Sequence, residues 1–140
     1  MPKIDKEVFY ERLTTYRNAL KKFETALALP KDEDKAYLDV SAHRFMYCYE
    51  LTWKSLRRIL RMRGVQANSP VLSFRSSYAE GWIENKKLYE NMIDDRNTVT
   101  HEYFEEKAVE IYSRLPQYLA EMQLLSKKIE EIYLSEPDGI

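Results

Sequence analysis

Cysteine occurs once in the 140 residues, at Cys48, so no internal disulfide can form and nothing marks an oxidising compartment. Glycine and proline are also scarce, at three and five, and a chain so poor in turn formers favours long uninterrupted helices. No apolar run approaches the roughly 18 residues that a membrane span requires. The opening stretch MPKIDKEVFY lacks the apolar core of a secretory signal. The expected location is therefore the cytoplasm, with no membrane partner. An excess of charge of one sign is missing too. The formal net charge is -1, so any grip on nucleic acid must come from a local basic patch. There is no glycine-rich phosphate loop, no GxSxG, no HExxH and no Cys/His ligand set, so no cofactor is expected and no metal.

What remains is a foldable chain, 44% hydrophobic and 32% charged. Its length suits one domain with a real core, here placed at residues 1–134, with 135–140 as a frayed tail. Eleven tyrosines are many, and each pairs apolar area with a polar tip, which suits a core that reaches the surface or a subunit interface.

Helical periodicity organises the chain. Phe9, Leu13, Tyr16, Leu20, Phe23 and Leu27 form one stripe on a first helix, which Pro30 and the charged run KDEDK end. Asp32 or Asp34 is placed to cap a second helix, from about Lys35 to Arg63, with Gly64 as its stop. Its apolar positions, among them Val40, Phe45, Cys48, Tyr49, Trp53 and Leu56, make a stripe broad enough to meet more than one neighbour. Ser69 and Pro70 read as N-cap and first turn of a short third helix, stopping near Gly81. A fourth helix from about Glu84 to His101 turns Leu88, Met92 and Val99 inward, with Arg96 in the same register. A fifth runs from about Glu105 to Tyr133 with Val109 on its inner face, and Pro116 predicts a bend or a break in it. The fold class is all-α: an antiparallel up-and-down bundle of about five helices, four long and one short.

The chemistry-bearing stretch is DDRNTVTHEY, residues 94–103. Asn97 and His101 are four apart and share a helix face, whereas Arg96 and His101 are five apart and do not. A swinging arginine and a histidine at the last turn ease that mismatch, and Tyr103 follows where the chain leaves the helix. An imidazole can take a proton from a ribose 2′-hydroxyl or give one to the leaving oxygen. A guanidinium can hold the phosphate. The bland alternative is a helix end where His101 meets the dipole and Arg96 pairs with Asp94 or Asp95. Nearby carboxylates read as a solvated acidic face, and Cys48 as core. Lys54, Arg57, Arg58 and Arg61 recur at helical spacing as a basic stripe on the second helix. It serves either the helix dipole and solubility or a phosphate-tracking surface for RNA.

Three blocks in order, FMYCYELTWKSLRRIL, SPVLSFRSSYAEGWI and MIDDRNTVTHEYFEEKAVEIY, resemble the HEPN superfamily, and within it the nucleotidyltransferase substrate-binding proteins. Arg96, Asn97, His101 and Tyr103 match the pattern Arg-x4-His-x-Tyr. The resemblance implies a HEPN-like bundle that forms a homodimer, with the motifs of two chains lining a shared cleft. It implies a metal-independent endoribonuclease acting as a toxin, with RNA as substrate. Arg96 and His101 would be catalytic and Asn97 would support them. A minimal nucleotidyltransferase encoded nearby would be the antitoxin, adenylylating Tyr103. It also implies an alternative, a non-catalytic substrate-binding subunit of a two-component nucleotidyltransferase.

Overall fold

The structure, a computed structural model, describes residues 3–137. Five helices follow in order: α1 Lys6–Leu27, α2 Ala36–Met62, α3 Pro70–Ala79, α4 Lys86–His101 and α5 Glu105–Ser135. Their ends are set locally. Asp5 accepts the amides of Glu7 and Val8, Ser69 that of Leu72 and Asn85 that of Leu88, each satisfying a first-turn donor that has no partner within the helix. Asp34 accepts the amide of Ala36, but the N-cap position itself falls to Lys35, held in the left-handed region at φ 56°. Gly64 (φ 77°) and Gly81 (φ 79°) both close Schellman motifs. In the first, Val65 donates to the carbonyl of Leu60 and Gly64 to that of Arg61. In the second, Trp82 donates to Ser77 and Gly81 to Tyr78.

Contacts between the long helices give their directions. Tyr133 near the end of α5 meets Ile4 ahead of α1, while Tyr112 near the start of α5 meets Leu27 at the end of α1. Ser41 of α2 reaches the carbonyl of Ala26. Asp95 with Arg114, and Tyr89 with Glu121, set α4 against α5 in opposite directions. Arg96 beside Glu50 brings α4 against α2, whose direction opposite to α4 follows from the other pairings. The four long helices therefore run up and down in turn, and α3 packs on α2 and α4. As its broad stripe predicts, α2 touches every other helix. Phe45, Tyr49, Leu56 and Leu60 of α2 are fully buried, with Phe45 stacked on Tyr118 at 5.4 Å and Tyr49 edge-on to Phe74 at 5.9 Å. Cys48 is buried within this core, and burial pushes its thiol up to about 12.

The details depart from the periodicity at a few places. Val40 and Val109 are exposed, and the inward places near them go to Leu38, Ser41 and Ala42 on α2 and to Ala108 and Ile111 on α5. Helix α5 is not broken at Pro116, which lies on its exposed side. At the C-terminus Ser135 still belongs to α5, and Glu136 accepts from Arg63 through its carboxylate and from Lys3 through its carbonyl. Residues 138–140 lie outside the described residues.

Candidate functional site

Helix α4 turns Tyr89, Met92 and Asp95 into the bundle. Asp95 is a buried carboxylate held on three sides. Arg114 donates to it from Nε (2.7 Å) and Nη2 (2.8 Å), and Tyr118 from its hydroxyl (2.5 Å). The bidentate grip raises the pKa of Arg114 above the usual guanidinium range. Asp95 is thereby spent on α5, and Arg96 does not pair with it.

Arg96 turns instead to α2. Its Nη2 lies 3.7 Å from Oε1 of Glu50, and its Nη1 donates to the amide oxygen of Asn97 at 3.4 Å. The other oxygen of Glu50 accepts from the indole N–H of Trp53 at 3.1 Å and lies 3.7 Å from Nζ of Lys54. The guanidinium of Arg57 covers the Trp53 ring at 5.1 Å from the centroid. Glu50 is therefore a hub for two cations on different helices, with a third stacked on the indole beside it. The Nε atoms of Arg96 and Arg57 are buried with no hydrogen-bond partner among the described residues. Underneath lies Tyr49, whose phenol burial pushes up to about 12 although Arg96 pulls it down.

The rest of the basic stripe spreads over a wider arc. Arg61 is exposed, whereas Arg58 leans toward α1 and lines a small cavity with Arg12 and Ile129. Burial, then the neighbouring Arg12, Arg57 and Arg61, lower the pKa of Arg58 to about 10. Lys54, Arg57 and Arg61 thus share one outward face of α2, of which the Lys54 and Trp53 end meets Arg96, and Arg58 stands on its far flank.

His101 is the last residue of α4 and is exposed. Among the described residues no hydrogen bond or ion pair joins it to Arg96, Asn97 or Tyr103; Asn97 faces Arg96 rather than the imidazole. Tyr103 goes elsewhere. Its half-buried hydroxyl donates to the carbonyl of Leu38 at 3.2 Å, in a cleft of about 200 Å³ that also includes Asp39 and Glu105. Burial, then Asp39, raise the phenol pKa. Leu38 and Glu50 are twelve residues apart on α2, so the contacts of Tyr103 and Arg96 on that helix lie about 18 Å apart. The four motif residues are neighbours in sequence without forming one cluster in the single chain.

Two residues important here take roles that the sequence alone does not give them: Asp95, expected at most to pair with Arg96, and Glu50. Asp95 sits three after Met92, in the apolar register, and a carboxylate there demands a partner; that signal was readable, but not the partner's identity. Glu50 offered none beyond its place beside Trp53.

No helix among the described residues is long and apolar enough to cross a membrane, and no group of three or more His, Cys, Asp or Glu among them is arranged to hold a metal. In comparisons with known proteins, a crystal structure of a protein from Thermus thermophilus superposes with a TM-score of 0.75 at 29% identity, over 81% of this chain and 98% of that one. A search of curated proteins returns no match. A family model described as nucleotidyltransferase substrate binding protein like matches residues 11–131, from within α1 to near the end of α5. With a HEPN-like helical fold and the match spanning the Arg96–Tyr103 stretch, the chain belongs to the nucleotidyltransferase substrate binding protein-like family.

Proposed function

We propose that this protein is a metal-independent endoribonuclease of toxin type, held in check by a nucleotidyltransferase partner. The observation that carries the reading is the meeting of Arg96 with Lys54 on one carboxylate, Glu50, with Arg57 stacked alongside. Two features separate in sequence, the Arg-x4-His motif and the basic stripe, become one cationic surface. The part-exposed guanidinium of Arg96 and that of Arg57 beside it are suited to phosphate oxygens through their outer nitrogens, their Nε atoms being buried. A strand bound there lies with a phosphate at Arg96. His101 of a second copy, exposed at the end of its own α4, removes the proton of the adjacent 2′-hydroxyl. That oxygen attacks phosphorus, the bond to the 5′-oxygen breaks, and the leaving oxygen takes up a proton from water, to which the imidazolium returns its own. The products are a 2′,3′-cyclic phosphate and a 5′-hydroxyl. Because Arg96 turns to Glu50 and no hydrogen bond joins it to His101, the reading includes a homodimer in which His101 of one copy serves a phosphate held by Arg96 of the other.

The partner acts at Tyr103. Adenylylation there first has to release the bond to Leu38, and a phenol whose pKa is raised needs a base or metal from the transferase to attack a nucleotide. The added phosphate and bulk would obstruct the His101 end of the surface rather than the Arg96 of the same chain.

The test is cleavage of a fluorescent single-stranded RNA by purified protein in excess chelator. Cutting should persist and leave cyclic phosphate ends. His101→Ala should slow it by about 10²-fold or more, and Arg96→Ala by a similar factor. Full activity in His101→Ala would remove the imidazole from the mechanism. A second reading, a substrate-binding subunit without chemistry, draws support from the family description and from the engagement of Arg96 by Glu50. It expects a stable complex with a nucleotidyltransferase and no cut RNA from either wild type or variant.

A further inference from the structure

Helices α3 and α4 each turn a face with spacing i, i+3, i+4, i+7 toward the other. On α3 the face is Val71, Phe74, Arg75 and Tyr78. On α4 it is Lys86, Tyr89, Glu90 and Ile93. Two such faces ordinarily zip together through apolar side chains. Here they splay around a cavity of about 210 Å³, which Ile83 from the connection between them also lines. Its floor is apolar and aromatic: Phe74 and Tyr89 are buried, with ring centroids 5.0 Å apart. Its wall is an aromatic ring in water, since Tyr78 is 46% exposed. Nζ of Lys86 stands 5.9 Å from the centroid of that ring. Arg75 and Glu90 complete the charged lining, and among the described residues the side chains of Arg75, Lys86 and Glu90 make no ion pair or hydrogen bond.

We propose that this cavity is a base subsite that takes a purine nucleotide. Three features select that ligand. The cavity is smaller than the roughly 300 Å³ at which drug-sized sites begin, so it suits one heterocycle. Aromatic rings on floor and wall present π-faces, over which the two fused rings of a purine stack with more area than the single ring of a pyrimidine. Two cations against one carboxylate leave a net positive lining for a phosphate, and Glu90 accepts hydrogen bonds from an exocyclic amine, which uracil lacks. The subsite also lies along the path of a strand. Ile93 precedes Arg96 by three residues on one face of α4, and the run from Tyr89 to Arg96 spans about 10 Å, the reach of one to two nucleotides. In this respect the inference rests on the ribonuclease reading, whose base preference next to the cut it explains.

Binding can be measured apart from cleavage. Titration of the wild-type protein with AMP, GMP, CMP, UMP and inorganic phosphate, followed by protein NMR, should shift resonances of α3 and α4. The purine nucleotides should bind at least tenfold more tightly than UMP or phosphate. Tyr78→Ala, and separately Arg75→Ala with Lys86→Ala, should each weaken AMP at least tenfold; because Tyr78, Arg75 and Lys86 are exposed, the variants should keep the wild-type denaturation midpoint. Glu90→Gln should narrow the gap between AMP and UMP. Equal binding of phosphate and AMP, or shifts elsewhere in the molecule, would overturn the subsite. So would loss of a transferase complex in Tyr78→Ala without any AMP binding, which would make the cavity a protein contact. Purine binding by a protein that cuts no RNA would keep the subsite and sink the nuclease reading. RNA cleavage with base preference unchanged in Tyr78→Ala would do the reverse.

Discussion

Asp95 carries more of the packing of α4 than any apolar residue near it suggests. Its carboxylate is 9% exposed and accepts from both Arg114 and Tyr118, so removing its charge leaves a guanidinium without its bidentate partner. Arg114 is itself 38% exposed, and water takes over part of its demand, which reduces the loss. Asp95→Asn is expected to lower stability by about 2–3 kcal/mol, read as a reduced urea midpoint at unchanged slope. A shift below about 0.5 kcal/mol would show that α4 is held by Met92 and Tyr89 alone. Tyr103→Phe differs in kind. It deletes one part-solvated bond to Leu38 and should cost about 1 kcal/mol or less. If the transferase acts at Tyr103, the same variant should abolish the mass increase of an adenylyl group after co-expression. Retention of that mass would move the modification to another residue.

Among the elements, α5 tests how far a local rule reaches. Pro116 removes the hydrogen bond to the carbonyl of Tyr112 and crowds the preceding turn, yet α5 continues as one helix because Ile111, Leu115, Tyr118 and Leu119 on both sides of it are buried. Packing of the inner face overrides the defect on the outer one. Pro116→Ala should therefore stabilise the protein by about 2 kcal/mol. The helix regains a bond and loses the ring clash, while the unfolded chain gains some freedom. Thermal unfolding followed by circular dichroism reads this directly. A lower midpoint in the variant would mean that the proline sets a bend the core relies on. Helix α4 shows the opposite relation. Its inward face was partly legible, since Met92 is fully buried and Leu88 and Val99 are half-buried, but Tyr89 and Asp95 take the deeper places. Periodicity gives a face to within a few tens of degrees, and the rotation within that range comes from neighbours.

For the whole molecule, the abundance of tyrosine becomes a pH limit. Tyr16, Tyr49, Tyr89 and Tyr118 are buried, and burial raises each phenol, Tyr49 to about 12 and the others further. Cys48 behaves alike, also reaching about 12. These folded values lie above the unfolded ones, so above pH 10 the native state holds protons that the unfolded chain has released. Stability is then complete below about pH 9 and falls as pH rises, each group contributing about 1.4 kcal/mol per pH unit. Five groups together would exhaust a typical stability of about 5–15 kcal/mol within roughly one to two units. Helicity should collapse cooperatively between pH 10 and 12, with phenolate absorbance rising in the same step. A gradual phenolate titration with helicity intact at pH 12 would show that these rings are open to solvent.

Helix number, the cap at Ser69, the stops at Gly64 and Gly81 and the burial of Cys48 were all readable from the chain alone. Each depends on residues within about one turn of one another or on a simple apolar period, so no knowledge of distant neighbours is needed. The motif's residue types were equally readable. Only the tertiary structure decided that Asp95 belongs to Arg114, that Arg96 joins Lys54 at Glu50, that Tyr103 departs toward Leu38, and that α3 and α4 stand apart around a cavity. Those pairings join separate helices, and they depend on each helix's rotation and axial register. Both are set by how the whole core closes.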